Sequence, residues 1–128
     1  MDTKLIFTKQ DEEIAGIFNE VGLKVNVSRV LVMFLTYSNI NSRDIERYTD
    51  LRQPEVSIAI NDLVNRRWIE VTKHITVNKG RPIKVYNLSL SPDEIIDQIE
   101  GSINKEYNQL KASVERVREL VKEARVRE

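Results

Sequence analysis

The spacing of apolar residues changes along this 128-residue chain, and each change marks a predicted element. Leu5, Ile6 and Phe7 stand together near the start, as a short strand or an arm packed on the body. Asp11 then precedes a helical pattern with Ile14, Ile17, Phe18 and Val21 on one face. Gly22 suits its C-terminal cap, because glycine takes the left-handed conformation without penalty, and Leu23 tucks the chain back. Asn26 is placed to cap a second helix. On it Val27, Val30, Leu31, Phe34 and Leu35 recur at helical spacing, with Val32 and Met33 between them, so this helix is predicted to be the central buried one. Tyr37-Ser38-Asn39 ends it.

Asn41 and Asp44 have the spacing of a capping box for a third helix, whose Ile45 and Tyr48 face inward. Thr49-Asp50-Leu51-Arg52 forms a turn with Leu51 as its apolar plug. A fourth helix follows, with Pro54 in the first turn, where the amides have no intrahelical partner. Its stripe Val56, Ala59, Ile60 and Leu63 must face the core. That leaves Gln53, Pro54, Ser57, Ile58 and Asn61 outside, all short or polar except Ile58. Arg66 and Arg67 suit the C-terminal dipole, or phosphates, or both. Trp68 is core where a hairpin leaves the body. Ile69, Val71, Ile75 and Val77 read as one strand; Ile83, Val85, Tyr86 and Leu88 read as its partner. The connection Asn78-Lys79-Gly80-Arg81-Pro82 turns at the glycine and projects two cations.

Ser91-Pro92-Asp93-Glu94 is a helix start: a capping serine, a first-turn proline, then acids. From there to about Arg125 no proline intervenes, giving roughly 34 residues and about 50 Å of helix. From Ile103 onward the apolar positions alternate in steps of four and three, a heptad seam. Tyr107, Val114 and Val121 occupy a positions; Ile103, Leu110, Val117 and Ala124 occupy d positions. A narrow seam on so long a helix demands a partner. Self-pairing is the favoured expectation, and packing against its own domain is the alternative. Lys111 and Arg118 at e, with Glu106 at g, leave parallel and antiparallel pairing both open.

Composition adds exclusions. There is no cysteine, hence no disulfide framework and no thiolate metal site, which fits a cytoplasmic location. The N-terminus lacks the apolar run of a secretory signal. The longest apolar run, Val30 to Leu35, is too short to span a bilayer. Basic and acidic residues balance at 20 each, which argues against an architectural DNA coat. Their distribution is uneven: residues 41–90 carry nine basic and six acidic side chains, whereas 91–128 carry seven and nine. His74 is the lone histidine, and no phosphate loop, zinc spacing or catalytic signature accompanies it. No catalytic residue, metal or cofactor is assigned, and an enzyme is the least expected class.

Residues 41–82 thus form one unit: helix, turn, helix and basic-tipped hairpin. Such a unit places its second helix in the major groove of double-stranded DNA and a basic loop beside it. The candidate DNA-facing residues are Arg43, Arg52, Gln53, Pro54, Ser57, Ile58, Asn61, Lys79, Gly80 and Arg81. Ile58 is odd on a solvated face and less odd against thymine methyl groups. The fold class expected is mainly α with a small antiparallel β-hairpin. Residues 1–90 form a winged helix-turn-helix, and residues 91–128 a long coiled-coil dimerisation helix.

Arg52-Gln53-Pro54, Val56-Ser57 and Leu63 resemble the helix start of winged helix-turn-helix regulators of the MarR, TrmB and ArsR-like groups, especially archaeal ones. Gly80-Arg81-Pro82 with Val85-Tyr86-Asn87-Leu88, and Val21-Gly22-Leu23, are also similar. The resemblance spans roughly residues 15–90. It implies a helix from Gln53 to Arg67 in the major groove and a wing at the minor groove or backbone. Many relatives carry arginine where this chain has Ile58, which implies weaker salt-dependent binding or readout leaning on apolar contacts, and Glu55 and Asp62 add acid near the face, which argues against high non-specific affinity. The function expected is a dimeric, sequence-specific transcription regulator. A winged-helix interaction adaptor or an architectural chromatin protein is the alternative. No effector ligand and no membrane partner is indicated.

Overall fold

The computed structural model describes residues 6–76 and 80–126. The described elements run α1 (Lys9–Glu20), α2 (Val25–Thr36), α3 (Ser42–Thr49), α4 (Gln53–Asn65), β1 (Ile69–Thr76), β2 (Pro82–Leu88) and α5 (Pro92–Val126). They fall into two compact units, Met1–Pro92 and Asp93–Glu128. The fold class is as the apolar pattern predicts: mainly helical, with one antiparallel hairpin and a long last helix.

In the first unit α2 is the central helix, with Val27, Val30, Leu31, Val32, Met33 and Phe34 buried. Val56, Ala59, Ile60 and Leu63 of α4, Ile45 and Tyr48 of α3, and Ala15 and Phe18 of α1 complete the helical core. Two helix starts differ from expectation. α1 begins before Asp11 and is capped by Thr8: the Thr8 hydroxyl accepts from the Asp11 amide at 3.1 Å, and the Asp11 carboxylate accepts from the Thr8 amide at 2.8 Å. The inner face of α1 is therefore Asp11, Ala15 and Phe18, while Ile17 and Val21 are exposed. Asn26 lies inside α2, whose cap position is Lys24; the Asn26 amide is engaged instead with Glu55 Oε2 at 3.3 Å. At the end of α1, Gly22 has φ +115°, and the Leu23 amide donates back to the Phe18 carbonyl. Glycine closes the helix as its conformational freedom allows.

A polar network locks α1 to α3. The Tyr48 hydroxyl donates to Asp11 Oδ2 at 2.7 Å, in a buried setting. Burial acts to raise the Asp11 pKa, but hydrogen bonds from Thr8 and Tyr48 outweigh it and hold the carboxyl below its ordinary value. Burial and the Asp11 carboxylate drive the Tyr48 phenol well above its own. Phe7 and Tyr37 pack edge-on against the Tyr48 ring at 5.0 and 5.6 Å. Arg29 covers Phe7 at 4.0 Å and pairs with Glu12. Of the two expectations for the N-terminal apolar residues, Phe7 takes packing on the body; Leu5 lies outside the described residues.

The hairpin is anchored at its base. Trp68 and Ile69 are buried, and Ile40 and Tyr86 exchange both backbone hydrogen bonds, at 3.0 and 2.7 Å, which adds a single bridge beside β2. Asn87 makes the second anchor. Its Oδ1 accepts from the Asn39 amide at 2.8 Å, and its Nδ2 donates to Asn39 Oδ1 and Thr72 Oγ1. Thr72 sits at the register shift between Val71 and Lys73, so Asn87 braces a bulge as well as a loop.

Two outcomes are expected. Tyr48→Phe leaves the buried Asp11 carboxylate short of a donor and lowers unfolding free energy at neutral pH by about 1–3 kcal/mol. Because the folded pKa of Asp11 is depressed, this contribution is full above the unfolded value near ~4 and is lost as pH falls through the folded value. Urea melts of both proteins should therefore converge in acid; a gap that widens there would refute the role of Asp11. Asn87→Ala should cost about 1 kcal/mol. It should also speed amide exchange along the hairpin more than in α2; uniform acceleration would contradict a local brace.

Candidate nucleic-acid interface

Three residues connect α3 to α4, and each has a physical task. Asp50 takes the left-handed conformation at φ 59°, which aspartate tolerates better than most side chains. Leu51 is half-buried as the plug of the turn. Arg52 holds the extended N-cap position of α4. Arginine has no acceptor to offer helical amides. Only the reverse half of a capping box is made, from the Arg52 amide to Glu55 Oε1 at 3.0 Å.

With Val56, Ala59, Ile60 and Leu63 buried, the opposite face of α4 is open. Gln53, Pro54, Ile58 and Asn61 are exposed there, and Ser57 is half-buried. Gln53 Nε2 donates to the Ser57 hydroxyl at 3.1 Å, so these two polar groups form one patch. Arg43 on α3 and Arg52 are exposed, and among the described residues neither forms an ion pair.

The two acids near this face are engaged. Asp62 pairs with Arg66 one turn on, and the Arg66 guanidinium lies 5.0 Å over the Trp68 ring. Glu55 accepts from both Arg52 and Asn26. The charge of Asp62 is thus balanced locally by Arg66, whose own charge is committed with it, whereas Glu55 is hydrogen-bonded by two neutral groups and keeps its charge. Arg67 is exposed in the left-handed region at φ 64°, where its carbonyl accepts from the Ser89 hydroxyl at 2.7 Å.

Ile58 is 65% exposed and borders a cleft of about 200 Å³ formed with Lys24, Val25 and Asn26 of the start of α2. Val25 is 59% exposed there. The sequence pattern misses Lys24 and Val25 as neighbours of Ile58. Only the packing of α2 on α4 brings them together, and the cap expected at Asn26 places both outside a helix.

The hairpin carries the rest of the candidate set. Ile69 pairs with Leu88 and Thr76 with Pro82, and eight residues of β1 lead away from the buried Trp68 by roughly 25 Å at strand rise. Gly80 and Arg81 are exposed; Lys79 lies outside the described residues. His74 is exposed on β1 opposite Lys84. Among the described residues no group of three or more His, Cys, Asp or Glu side chains is arranged to hold a metal ion, and no helix is long and apolar enough to cross a membrane.

No family model matches the chain, and no curated protein does. Solved structures do. One is a possible transcriptional regulator from Methanosarcina mazei Go1, at TM-score 0.63 and 15% identity, covering 81% of this chain and 85% of that one. A second structure described as a transcriptional regulator matches at TM-score 0.54 and 17% identity, covering 78% and 67%. A mutant of MepR from S. aureus matches at TM-score 0.50 and 11% identity, covering 82% and 76%. Likeness at such identity speaks to architecture, and the architecture agrees with what the resemblance at Arg52–Leu63 and Gly80–Leu88 implies: the chain has a winged helix-turn-helix fold with a long C-terminal helix.

Proposed function

We propose that the chain is a dimeric, sequence-specific DNA-binding transcription regulator. The observation that carries this reading is the outer face of α4, open and polar around Ile58 while its other face is wholly buried. The fold shared with structures described as transcriptional regulators supports it. A cytoplasmic location goes with it.

In this reading α4 lies in the major groove. The amides of Gln53 and Asn61 hydrogen-bond to base edges, asparagine being suited to adenine N6 and N7. Pro54 and Ser57 allow close approach, and Ile58 meets thymine methyl groups. Arg43 and Arg52 hold phosphates. The wing tip, Lys79 to Arg81, reaches the minor groove or the backbone. The pairing of Asp62 with Arg66 lowers the repulsion this acid would exert on DNA, whereas Glu55 keeps its charge. Even so, the cationic set is small, so one copy binds weakly and two linked copies gain effective concentration.

The linkage falls to α5. From Glu100 to Val126 every residue is exposed, including Ile103, Tyr107, Leu110, Val114, Val117 and Val121 at heptad spacing. A second copy would cover this seam. The exposed seam and the zero net charge also suit a protein-interaction adaptor, the second reading.

Selection from random DNA should enrich a two-fold site with half-sites about one helical turn, or a multiple, apart. On that site Asn61→Ala should cost about 1–3 kcal/mol, and Arg81→Ala should reduce the salt slope by about one. Unchanged affinity and slope in both variants would sink the assigned face, and a failure to enrich any sequence would favour the adaptor. Separately, Leu110→Lys with Val117→Lys should sediment as monomer. A wild type that is itself monomeric at on the order of tens of micromolar would refute the dimer.

A further inference from the structure

We propose that α5 pairs with a second copy of this chain in parallel and in register. The charge pattern alone leaves both orientations open, and what selects one is that Arg118 has Glu115 on its own helix while Lys111, among the described residues, has no acid there. This rests on the dimeric reading above and goes one step further, to geometry. Continuing the register of Tyr107, Val114 and Val121 at a, the e positions include Lys111, Arg118 and Arg125. From Ile103 to Arg125, Glu106 at g is the one acid on either flank of the seam.

In a parallel pair a g residue meets the e residue of the following heptad on the partner. Glu106 then faces the partner's Lys111, twice by symmetry. Leu120, also at g, faces the partner's Arg125, whose aliphatic stem can cover it. In an antiparallel pair e flanks e. The register that stacks Ile103 on Val121 and Leu110 on Val114 sets Lys111 against its own copy and Glu106 against Leu120. Both contacts are unfavourable: like charges meet, and the single acid loses its cation.

The side chains of the isolated helix are arranged consistently with this. Arg116 pairs with Glu119 on the back of the helix, and Glu115 lies 3.3 Å from Arg118. Among the described residues Lys111 forms no ion pair; its ammonium stands 5.3 Å over the ring of Tyr107, beside the seam. It is the basic e residue left without an acid of its own in the middle of the seam. Val114 and Val121 at a with Leu110 at d match the residue preference of a two-stranded parallel pair; Ile103, Val117 and Ala124 at d do not. Because α5 follows β2 after three residues, parallel pairing tethers both winged helices to the same end of the paired helices. The antiparallel register would tether them to opposite ends, roughly 60 Å apart along the rod.

The chain has no cysteine, so single cysteines report the orientation directly. Ile103→Cys and Val121→Cys alter exposed residues and leave the core intact. Oxidised separately, each should form a disulfide dimer. Mixed and re-equilibrated before oxidation, they should yield 103–103 and 121–121 links and no 103–121 link by peptide mass. Lys111→Glu should raise the dimer Kd several-fold, and adding Glu106→Lys should bring it back. A predominant 103–121 link, or no recovery in the double variant, overturns the parallel arrangement while the dimer stands. A dimer that forms none of these links overturns the seam as its interface. A wild type that sediments as monomer overturns the dimeric reading itself, and this inference with it.

Discussion

The burial of Val56, Ala59, Ile60 and Leu63 against the core is the constraint on which the candidate interface depends. A helix has 3.6 residues per turn, so fixing one face inward fixes the other outward. Gln53, Pro54, Ser57, Ile58 and Asn61 face out as a consequence of where Leu63 and Ala59 face in. The turn before α4 serves the same end. Asp50 reverses the chain and Leu51 fills the corner, and the start of α4 is left open with Arg52 beside it. The network around Tyr48 holds α3 from its other side, so the helix before the turn is fixed before α4 begins.

Electrostatics refine this picture. A winged helix with Ile58 on its outer face and two acids nearby would be a poor polyanion ligand if both acids kept their full charge. Only that of Asp62 is balanced by a cation. Asp62 is held by Arg66, and Glu55 is shared between an N-cap amide and Asn26. These contacts serve folding first: Glu55 starts α4, and Arg66 screens Trp68 where the hairpin departs. Among the described residues of the candidate set, the cations Arg43, Arg52 and Arg81 form no ion pair. Under the proposed function such a face would favour discrimination by base contacts over general attraction to phosphate.

Most of the fold was legible in the chain because its strongest signals are local. The Asn41–Asp44 box, the stripe on α4, the glycine after α1 and the heptads of α5 each depend on residues a turn or two apart. The misses share a cause. Asp11 reads as a residue that precedes a helix, yet it lies in the first turn and its buried partner Tyr48 is 37 residues away and invisible to spacing. The same Asp11 oxygen accepts from the Thr8 amide in the capping box and from the Tyr48 hydroxyl, so one carboxylate serves both the helix start and the core. Asn26 looks like a cap because its side chain offers an acceptor just before an apolar helical run, and its actual partner is Glu55. Val25 and Lys24 join Ile58 around a cleft only because α2 crosses α4. Local polar chemistry was readable; polar groups recruited across the fold were not.

Under the proposed dimer, two copies matter only if the outer face of α4 in each has something to hold. The most direct measurement is an NMR titration of the protein with a double-stranded DNA carrying its selected sequence. If α4 is the reading element, the amides from Gln53 to Asn61 and those of Gly80 and Arg81 shift together, while those on the buried α2 stay in place. Shifts confined to α5 or α1, with the α4 face unmoved, would contradict the assignment of this face to DNA.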